Sequence, residues 1–340
     1  MGEAVDLRVL FWNTWLLQPR IWPGGPPLPG ADRLFAPDVG ARAPLVGEAI
    51  AGRFDVAALA ECFEPQEQQA VCRAWRAPQV ALGPSRRFPR WTGSGLITVV
   101  DPTLDAGVRL ETSVPHRYRS GGDLRDSDTF ATKGALLTRL RSGAAEGCGL
   151  DLVSTHLFAG GDLLAVPGSD DHLRHHDVRM RQVGELVEFI ERERDPSLPL
   201  LLMGDFNIRF HDTREGFADP GASYRDLADR LAALGLRDLW LDLGDGPGHT
   251  CTFGEPSELP PADDEPDAVR DEPGPEPSTG TSERIDHAWI GAPVDGSPAP
   301  TATSVTRWAF PGRAATGGPA GSLSDHLGLS VELTLPTLQP

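Results

Sequence analysis

Eight apolar runs of strand length punctuate this 340-residue sequence, and they limit its fold more than any other feature. They are LRVLFW (7–12), DVAALA (55–60), GLITVV (95–100), GALLTRL (134–140), LDLVST (150–155), LPLLLM (198–203), IDHAWI (285–290) and LGLSVEL (327–333). Each is rich in aliphatic or β-branched residues and bounded by polar ones, as in strands with most of their surface buried. Between them the period changes. RMRQVGELVEFIERER (179–194) places Val183, Leu186, Val187 and Ile190 on one stripe with charges opposite, and YRDLADRLAALG (224–235) repeats this with Leu227, Leu231 and Leu234. Gly235 is a helix stop. Strands and helices in mixed order predict layered sheets with helices outside.

Two segments break the pattern. QPRIWPGGPPLPG (18–30) holds five prolines and three glycines and must form a loop. Residues 254–283 are proline-rich, acidic and poor in apolar side chains, so they are expected to form a flexible insertion in one domain. Nine acids and one arginine between 255 and 276 supply −8 of the net −18, and a charge of that sign disfavours duplex nucleic acid as a partner. No run approaches the roughly 18 apolar residues of a membrane span. The start, MGEAVDLRVLF, lacks the features of a secretory signal, so a cytoplasmic location is expected, or a secreted one if the chain has been trimmed. The four cysteines form no C-x-x-C pair, which suggests neither a zinc site nor a disulfide framework.

Four of the runs stop on a polar or titratable side chain. LRVLFW runs into Asn13, DVAALA into Glu61, LDLVST into His156, and LPLLLM, after Gly204, into Asp205 and Asn207. In a layered α/β protein neighbouring strand ends form a common rim where ligands bind. Two apart on an extended segment, Asp205 and Asn207 point to the same side. RIDH (284–287) and LSDHLGL (323–329) add Asp286, Asp325 and His326. Oxygen ligands such as Glu61, Asn13 and Asp325 suit a hard cation such as Mg²⁺, with Mn²⁺ as a substitute, and such an ion polarises a phosphoryl group. A carboxylate on one nitrogen of a histidine fixes its tautomer, so Asp286 and His326 read as an acid–base pair. His156 and Asn207 then bind the phosphate as charge develops. Each piece alone has a plainer explanation. Asp-x-Asn after a strand is a common turn, Asp325 caps a turn, Asp286 is a strand-edge charge and Glu61 starts a helix. Joint occurrence, in order, at the ends of separate strands favours a site.

At these residues the sequence resembles the endonuclease/exonuclease/phosphatase superfamily, which has the fold of deoxyribonuclease I. The resemblance runs from VLFWNTW through LAECFE, STHLFAG, GDFNI and RIDHAWI to LSDHLGL, nearly the whole chain. It implies a single domain over residues 1–340: an α/β fold, a four-layer α/β sandwich of two packed mixed β-sheets with outer helices, performing Mg²⁺-dependent attack of water on a phosphoester. It makes Glu61 the principal metal ligand with Asn13 beside it, and places Asp325 near the metal or its water. It gives the phosphate to His156 and Asn207, has Asp205 orient or activate a reacting group, and makes His326, oriented by Asp286, the general base.

Within the superfamily the sequence looks most similar to the neutral sphingomyelinase branch. ARAPLVGEAIAGRFDVAALAECFE (41–64) resembles its Arg-Ala segment, helix and Glu-ending strand. DSDTFATKGALLTRL (126–140) resembles its Lys-Gly strand entry, which makes Lys133 a phosphate contact, and DVRMRQVGELVEFI (177–190) its helix after the histidine strand. GDFN in place of that branch's frequent GDLN and the acidic insertion are departures. The expected enzyme is a monomeric phosphodiesterase acting on a phospholipid head group, the alternatives being a nuclease on DNA or small nucleotides and a phosphomonoesterase on a small metabolite.

Three further features remain. Trp22, with Trp15 and Trp12 nearby, allows transient membrane-surface contact, although Trp12 and Trp15 also suit a core. His172 and His176 have helical i, i+4 spacing, which suits either a solvated helix start or a metal pair. Arg117, Arg119 and Arg125 either meet an anionic substrate or balance neighbouring acids.

Overall fold

Alternation along the first strand, β1 (Val5–Leu16), establishes the layers. Val5, Leu7, Val9 and Phe11 enter one core, while Leu10, Trp12 and Leu16 enter another. The next strand, β2 (Val56–Cys62), repeats this, with Val56, Ala58 and Ala60 on the first side and Ala57 and Leu59 on the second. A sheet apolar on both faces must be covered on both. The computed structural model describes residues 4–22, 25–31, 35–88, 90–123, 126–143, 148–160, 171–210, 220–251, 261–262, 265–269, 283–310 and 323–336.

The remaining strands are β3 (Gln79–Leu82), β4 (Ile97–Val100), β5 (Val108–Arg117), β6 (Gly134–Ser142), β7 (Gly149–His156), β8 (Leu200–Asp205), β9 (Arg237–Asp238), β10 (Pro261–Ala262), β11 (Glu265–Val269), β12 (Asp286–Gly291), β13 (Thr301–Trp308) and β14 (Gly328–Leu335). One sheet has the order β10-β11-β13-β14-β1-β2-β4-β3, the other β5-β6-β7-β8-β12-β9. Their inner faces share a core that includes Val9, Phe11, Leu136, Leu152, Met203 and Ala288. On the outside of the first sheet lies helix α1 (Val39–Ile50), burying Val39, Ala43, Val46 and Ile50 at helical spacing. Helix α2 (Pro65–Cys72) crosses it where Gly47 meets the Val71 carbonyl; a Cβ there would come within 2.1 Å of that oxygen. Helices α3 (Asp171–Glu193) and α4 (Ala222–Ala232) cover the second sheet through Val183, Leu186, Ile190, Leu227 and Leu231. A short helix α5 (Leu239–Leu243) precedes the 254–283 segment. The result is the expected four-layer α/β sandwich of two mixed sheets.

All eight apolar runs are strands. Of residues 254–283, expected as a flexible insertion, only 261–262, 265–269 and 283 are described. Among these, β10 and β11 are short strands, and β11 pairs with the edge of β13 at Ala268 with Trp308 and Val269 with Arg307. The rest of the segment lies outside the described residues. Trp12 is core, packed on Phe310 with ring centroids 4.4 Å apart. Among the described residues no helix is long and apolar enough to cross a membrane, and all four cysteines are free.

Candidate active site

Each sheet contains one parallel pair, β1–β2 in the first and β7–β8 in the second. The carboxyl-terminal parts of the pairs carry Asn13, Glu61, His156 and Asp205, and the pairs meet across the sandwich where Asn13 Nδ2 donates to Asp205 Oδ2 at 3.0 Å. Antiparallel neighbours begin where these strands end. Asp286 opens β12 opposite Asp205, Lys133 precedes β6 where Gly134 faces His156, and Asp325 and His326 precede β14. Topology alone therefore gathers these side chains at one rim.

The rim is tightly wired. Asn13 Nδ2 also donates to Glu61 Oε1 at 3.3 Å, while its Oδ1 accepts from the Trp15 N–H at 3.1 Å. As placed, Asn13 ties the two carboxylates together and keeps one lone pair on its oxygen for a cation. His156 Nε2 lies 2.9 Å from Lys133 Nζ, 3.6 Å from Asp205 Oδ2 and 3.8 Å from Glu61 Oε1. Burial, with the charges of Lys133 and His326 added, pushes the His156 imidazole well below its ordinary range, so it is neutral and accepts from Lys133. Asp205 and Asn207 are not on one extended segment. Asn207 has φ 51° and its N–H donates to Asp205 Oδ1 at 3.0 Å, a turn that aims its amide at the Leu157 carbonyl, 3.2 Å away. Trp15, Glu61 and Asn207 all take left-handed φ, and such strain, about 1–3 kcal/mol each, persists where surroundings over-determine it and gathers at functional sites.

His326 Nδ1 and Asp286 Oδ2 are 2.8 Å apart. Burial opposes charge on this imidazole, but the adjacent Cys251 and Asp286 outweigh it and hold His326 above its ordinary range. The segment carrying it is pinned to β1: Trp12 Nε1 donates to the His326 carbonyl at 3.0 Å, and Ser324 Oγ to the Asn13 carbonyl at 2.7 Å. Arg42 on α1 completes the clamp. Its guanidinium is fully buried and donates to the carbonyls of Leu323 (2.6 Å), Trp15 (2.6 Å), Thr14 (3.2 Å) and Pro37 (2.8 Å). Burial lowers its pKa to about 10, against Asp325, Asp38 and Glu61, so it stays charged at neutral pH. Sequence reasoning named Arg42 only within a resembling segment and did not foresee Cys251, Ser324 or Asp128, whose Oδ1 holds Lys133 Nζ at 3.0 Å. An arginine in an otherwise apolar helix stripe was the one signal available. Arg42→Met leaves buried carbonyls without donors, and we expect it to destabilise the fold by at least about 3 kcal/mol in denaturant titration; an unchanged midpoint would remove the clamp.

Other expected features lie elsewhere. His176 bonds Ser223 Oγ through Nδ1 at 2.8 Å and faces Asp226, so it links α3 to α4, while the His172 side chain lies outside the described residues. Arg119 pairs with Glu185 and Glu188 on α3, Arg117 donates to the Ser85 carbonyl, and Arg125 lies outside the described residues.

The donor set fits a divalent cation. Buried Glu61 Oε2 and Asp286 Oδ1 have no hydrogen-bond partner, and Asp325 lies electrostatically against Glu61. Atoms of Asp205, Asp286 and His326 fall within 4.8 Å of one another, but His326 and Asp286 already engage each other, which leaves Glu61 with Asp325 as the better-suited oxygen pair. Burial, opposed by Lys133 and reinforced by Asp325, raises the Glu61 carboxyl to about 7; burial and Asp286 raise Asp205 to about 6. Both groups thus keep their protons to higher pH in the folded metal-free protein than in the unfolded chain. Their contribution to stability falls as pH rises from the ordinary carboxylate range to about 7. A cation must displace these protons, so the rise in melting temperature on adding Mg²⁺ should grow from pH 5 to pH 8. A shift equal at both, or larger at pH 5, contradicts this placement.

Two facing mixed sheets with outer helices form the deoxyribonuclease I-like fold. No family model and no curated protein matches the sequence. Among solved structures the chain is similar to beta toxin from Staphylococcus aureus, over 96% of this chain and 99% of that one (TM-score 0.62, 16% identity). It is also similar to an endonuclease/exonuclease/phosphatase family protein from Bacteroides thetaiotaomicron over 99% and 97% (TM-score 0.60, 16% identity). A third similar structure is sphingomyelinase C from Streptomyces griseocarneus, over 96% and 99% (TM-score 0.55, 16% identity). Beta toxin has also been solved with bound magnesium ions.

Proposed function

We propose that this protein is a divalent-metal-dependent phosphoester hydrolase, and more narrowly a phosphodiesterase that releases a phospholipid head group in the manner of a sphingomyelinase. The observation that carries the general reading is the hydrogen-bonded continuity from Glu61 through Asn13 to Asp205, with Lys133–His156 on one side and Asp286–His326 on the other. The magnesium-bound beta toxin and the sphingomyelinase C of the same fold support the metal and the narrower substrate.

Glu61 and Asp325 would hold Mg²⁺, which when bound polarises the phosphoryl group and offsets charge on its oxygens. Lys133 and His156, with Asn207 beside them, bind the non-bridging oxygens and gain strength as negative charge develops. Asp205, held by Asn13 and by the Asn207 N–H, orients the reacting group. His326, with Nδ1 fixed on Asp286, takes the proton from the attacking water at its other nitrogen. It must be neutral to do so, so activity should rise with pH.

A panel of sphingomyelin, lysophospholipid, plasmid DNA, single-stranded DNA and sugar phosphates, each with Mg²⁺ and with chelator, tests both levels. Metal-dependent release of phosphocholine is the expected result. D. rerio TDP2, solved with a single-strand DNA product, shares the fold; turnover of DNA without lipid would therefore replace the narrower reading, and no turnover of any phosphoester would remove the general one.

A further inference from the structure

Two loops beside the rim carry charge opposite to the rest of the chain. QPRIWPGGPPLPG (18–30) and GPSRRFPRWTGS (83–94) together contain four arginines and no Asp or Glu, in a protein of net charge −18. The structure brings them together around an open groove whose lining includes Arg20, Ile21, Trp22, Arg86, Phe88 and Trp91. The apolar side chains face solvent: Phe88 is 93% exposed, Trp91 58%, Trp22 57% and Ile21 52%. One exposed apolar residue is ordinary, but four large ones on adjoining loops mark an interaction surface.

The four arginines divide into two roles. Arg20 is held by Glu64 and Glu67, and Arg90 donates to the Thr129 and Ala131 carbonyls, so these two build the platform. Arg86 and Arg87 are exposed and, among the described residues, pair with no acid. The platform is joined to the rim at two points. Glu64 follows Glu61 by three positions. On the other side the Trp91 ring packs against Phe130 at 4.9 Å, and Thr132 Oγ1, next to Lys133, donates to the Thr92 carbonyl at 2.8 Å.

We propose that this surface docks the protein on an anionic lipid bilayer, with Phe88, Trp22, Ile21 and Trp91 entering the head-group layer and Arg86 and Arg87 meeting lipid phosphates. Aromatic rings partition to that layer. Arginine pairs with phosphate in bidentate fashion, and a negative membrane surface attracts basic side chains across roughly one Debye length, about 8 Å at physiological salt. Single-stranded nucleic acid would instead ask for a continuous basic track along successive nucleotides, and among the described residues of these two loops the arginines without an acidic or carbonyl partner, Arg86 and Arg87, sit side by side on one of them. Docking would set the rim beside the bilayer, yet it does not depend on which phosphoester is cut.

The test uses the full chain with chelator present, so that binding is read without turnover. Protein is co-sedimented with vesicles of phosphatidylcholine alone and of phosphatidylcholine mixed with phosphatidylglycerol. Binding to the mixed vesicles should exceed that to phosphatidylcholine alone by about tenfold or more. The double variant Arg86→Glu/Arg87→Glu should lose at least about tenfold on mixed vesicles, and Arg86→Lys/Arg87→Lys should retain binding. Trp22→Ser/Phe88→Ser should lose binding on both compositions while its melting temperature stays at the wild-type value. No binding of the wild type to mixed vesicles, or wild-type binding by the charge-reversed or the serine variant, overturns the proposal. So does tight binding of an oligothymidylate that the same variants lose while vesicles are ignored.

Discussion

Replacing His326 by alanine is expected to lower kcat/KM by at least about a hundredfold with the circular dichroism spectrum unchanged. The size follows from its position. It is a buried imidazole with one nitrogen fixed by Asp286 at 2.8 Å, on a segment pinned to β1 by Trp12 and Ser324. Asp286→Asn removes one of the two groups, Cys251 and Asp286, that favour the imidazolium, so it should cut activity in the same sense and move the rising limb of the pH–rate profile to lower pH. Two residues acting as one unit are non-additive. The double variant should therefore be little worse than His326→Ala alone. Full activity in His326→Ala, or costs that multiply in the double variant, would show that the pair is not the proton-transferring unit.

Replacing Glu61 by glutamine separates function from stability. Its carboxyl sits in a buried rim with Oε2 unpartnered and is raised from 4.5 to about 7. Ionising it in the metal-free fold at pH 8 therefore opposes folding by up to roughly 3 kcal/mol. Glutamine has nearly the same shape and no charge, so in chelator above pH 7 the variant should melt at or above the wild-type temperature. If Glu61 holds the cation as proposed, the same change removes an anionic ligand, and with it several kcal/mol of transition-state stabilisation. Turnover in Mg²⁺ should fall by at least about a hundredfold and the Mg²⁺-induced rise in melting temperature should largely disappear. A variant that keeps both its turnover and its Mg²⁺ response would exclude Glu61 as a ligand. One that melts well below wild type in chelator would give the carboxylate a structural role instead.

The strands legible in the sequence are those buried on both faces. LRVLFW, DVAALA and LPLLLM are apolar over most of their length because one set of side chains meets the facing sheet and the alternate set meets a helix. The missed strands lie toward the sheet edges. VRLETSVPHR, which forms β5, and TATSVTRW, which forms β13, are largely half-exposed or exposed, and QVAL in β3 is too short to establish a period. Such edge segments carry polar residues on both sides and read as loop until a neighbour pairs with them. The rim was legible for a related reason: a strand that is apolar to its last residue and then presents an acid or an imidazole is conspicuous. Arg42 and Cys251 were not, since their roles depend on partners 281 and 75 positions away in the chain, Leu323 and His326.

Pairing of β1 with both β2 and β14 also bears on how the protein is made. Val9 through Leu16 pair on one side with Val56 through Cys62, within reach soon after they emerge from the ribosome, while Val5 through Phe11 pair on the other with Leu335 through Leu329. Until that last hairpin has been translated, the nascent sheet exposes an unpaired, strongly apolar edge through its middle. Such a polypeptide should depend on chaperones during synthesis, and premature termination should yield aggregates rather than weakly active fragments.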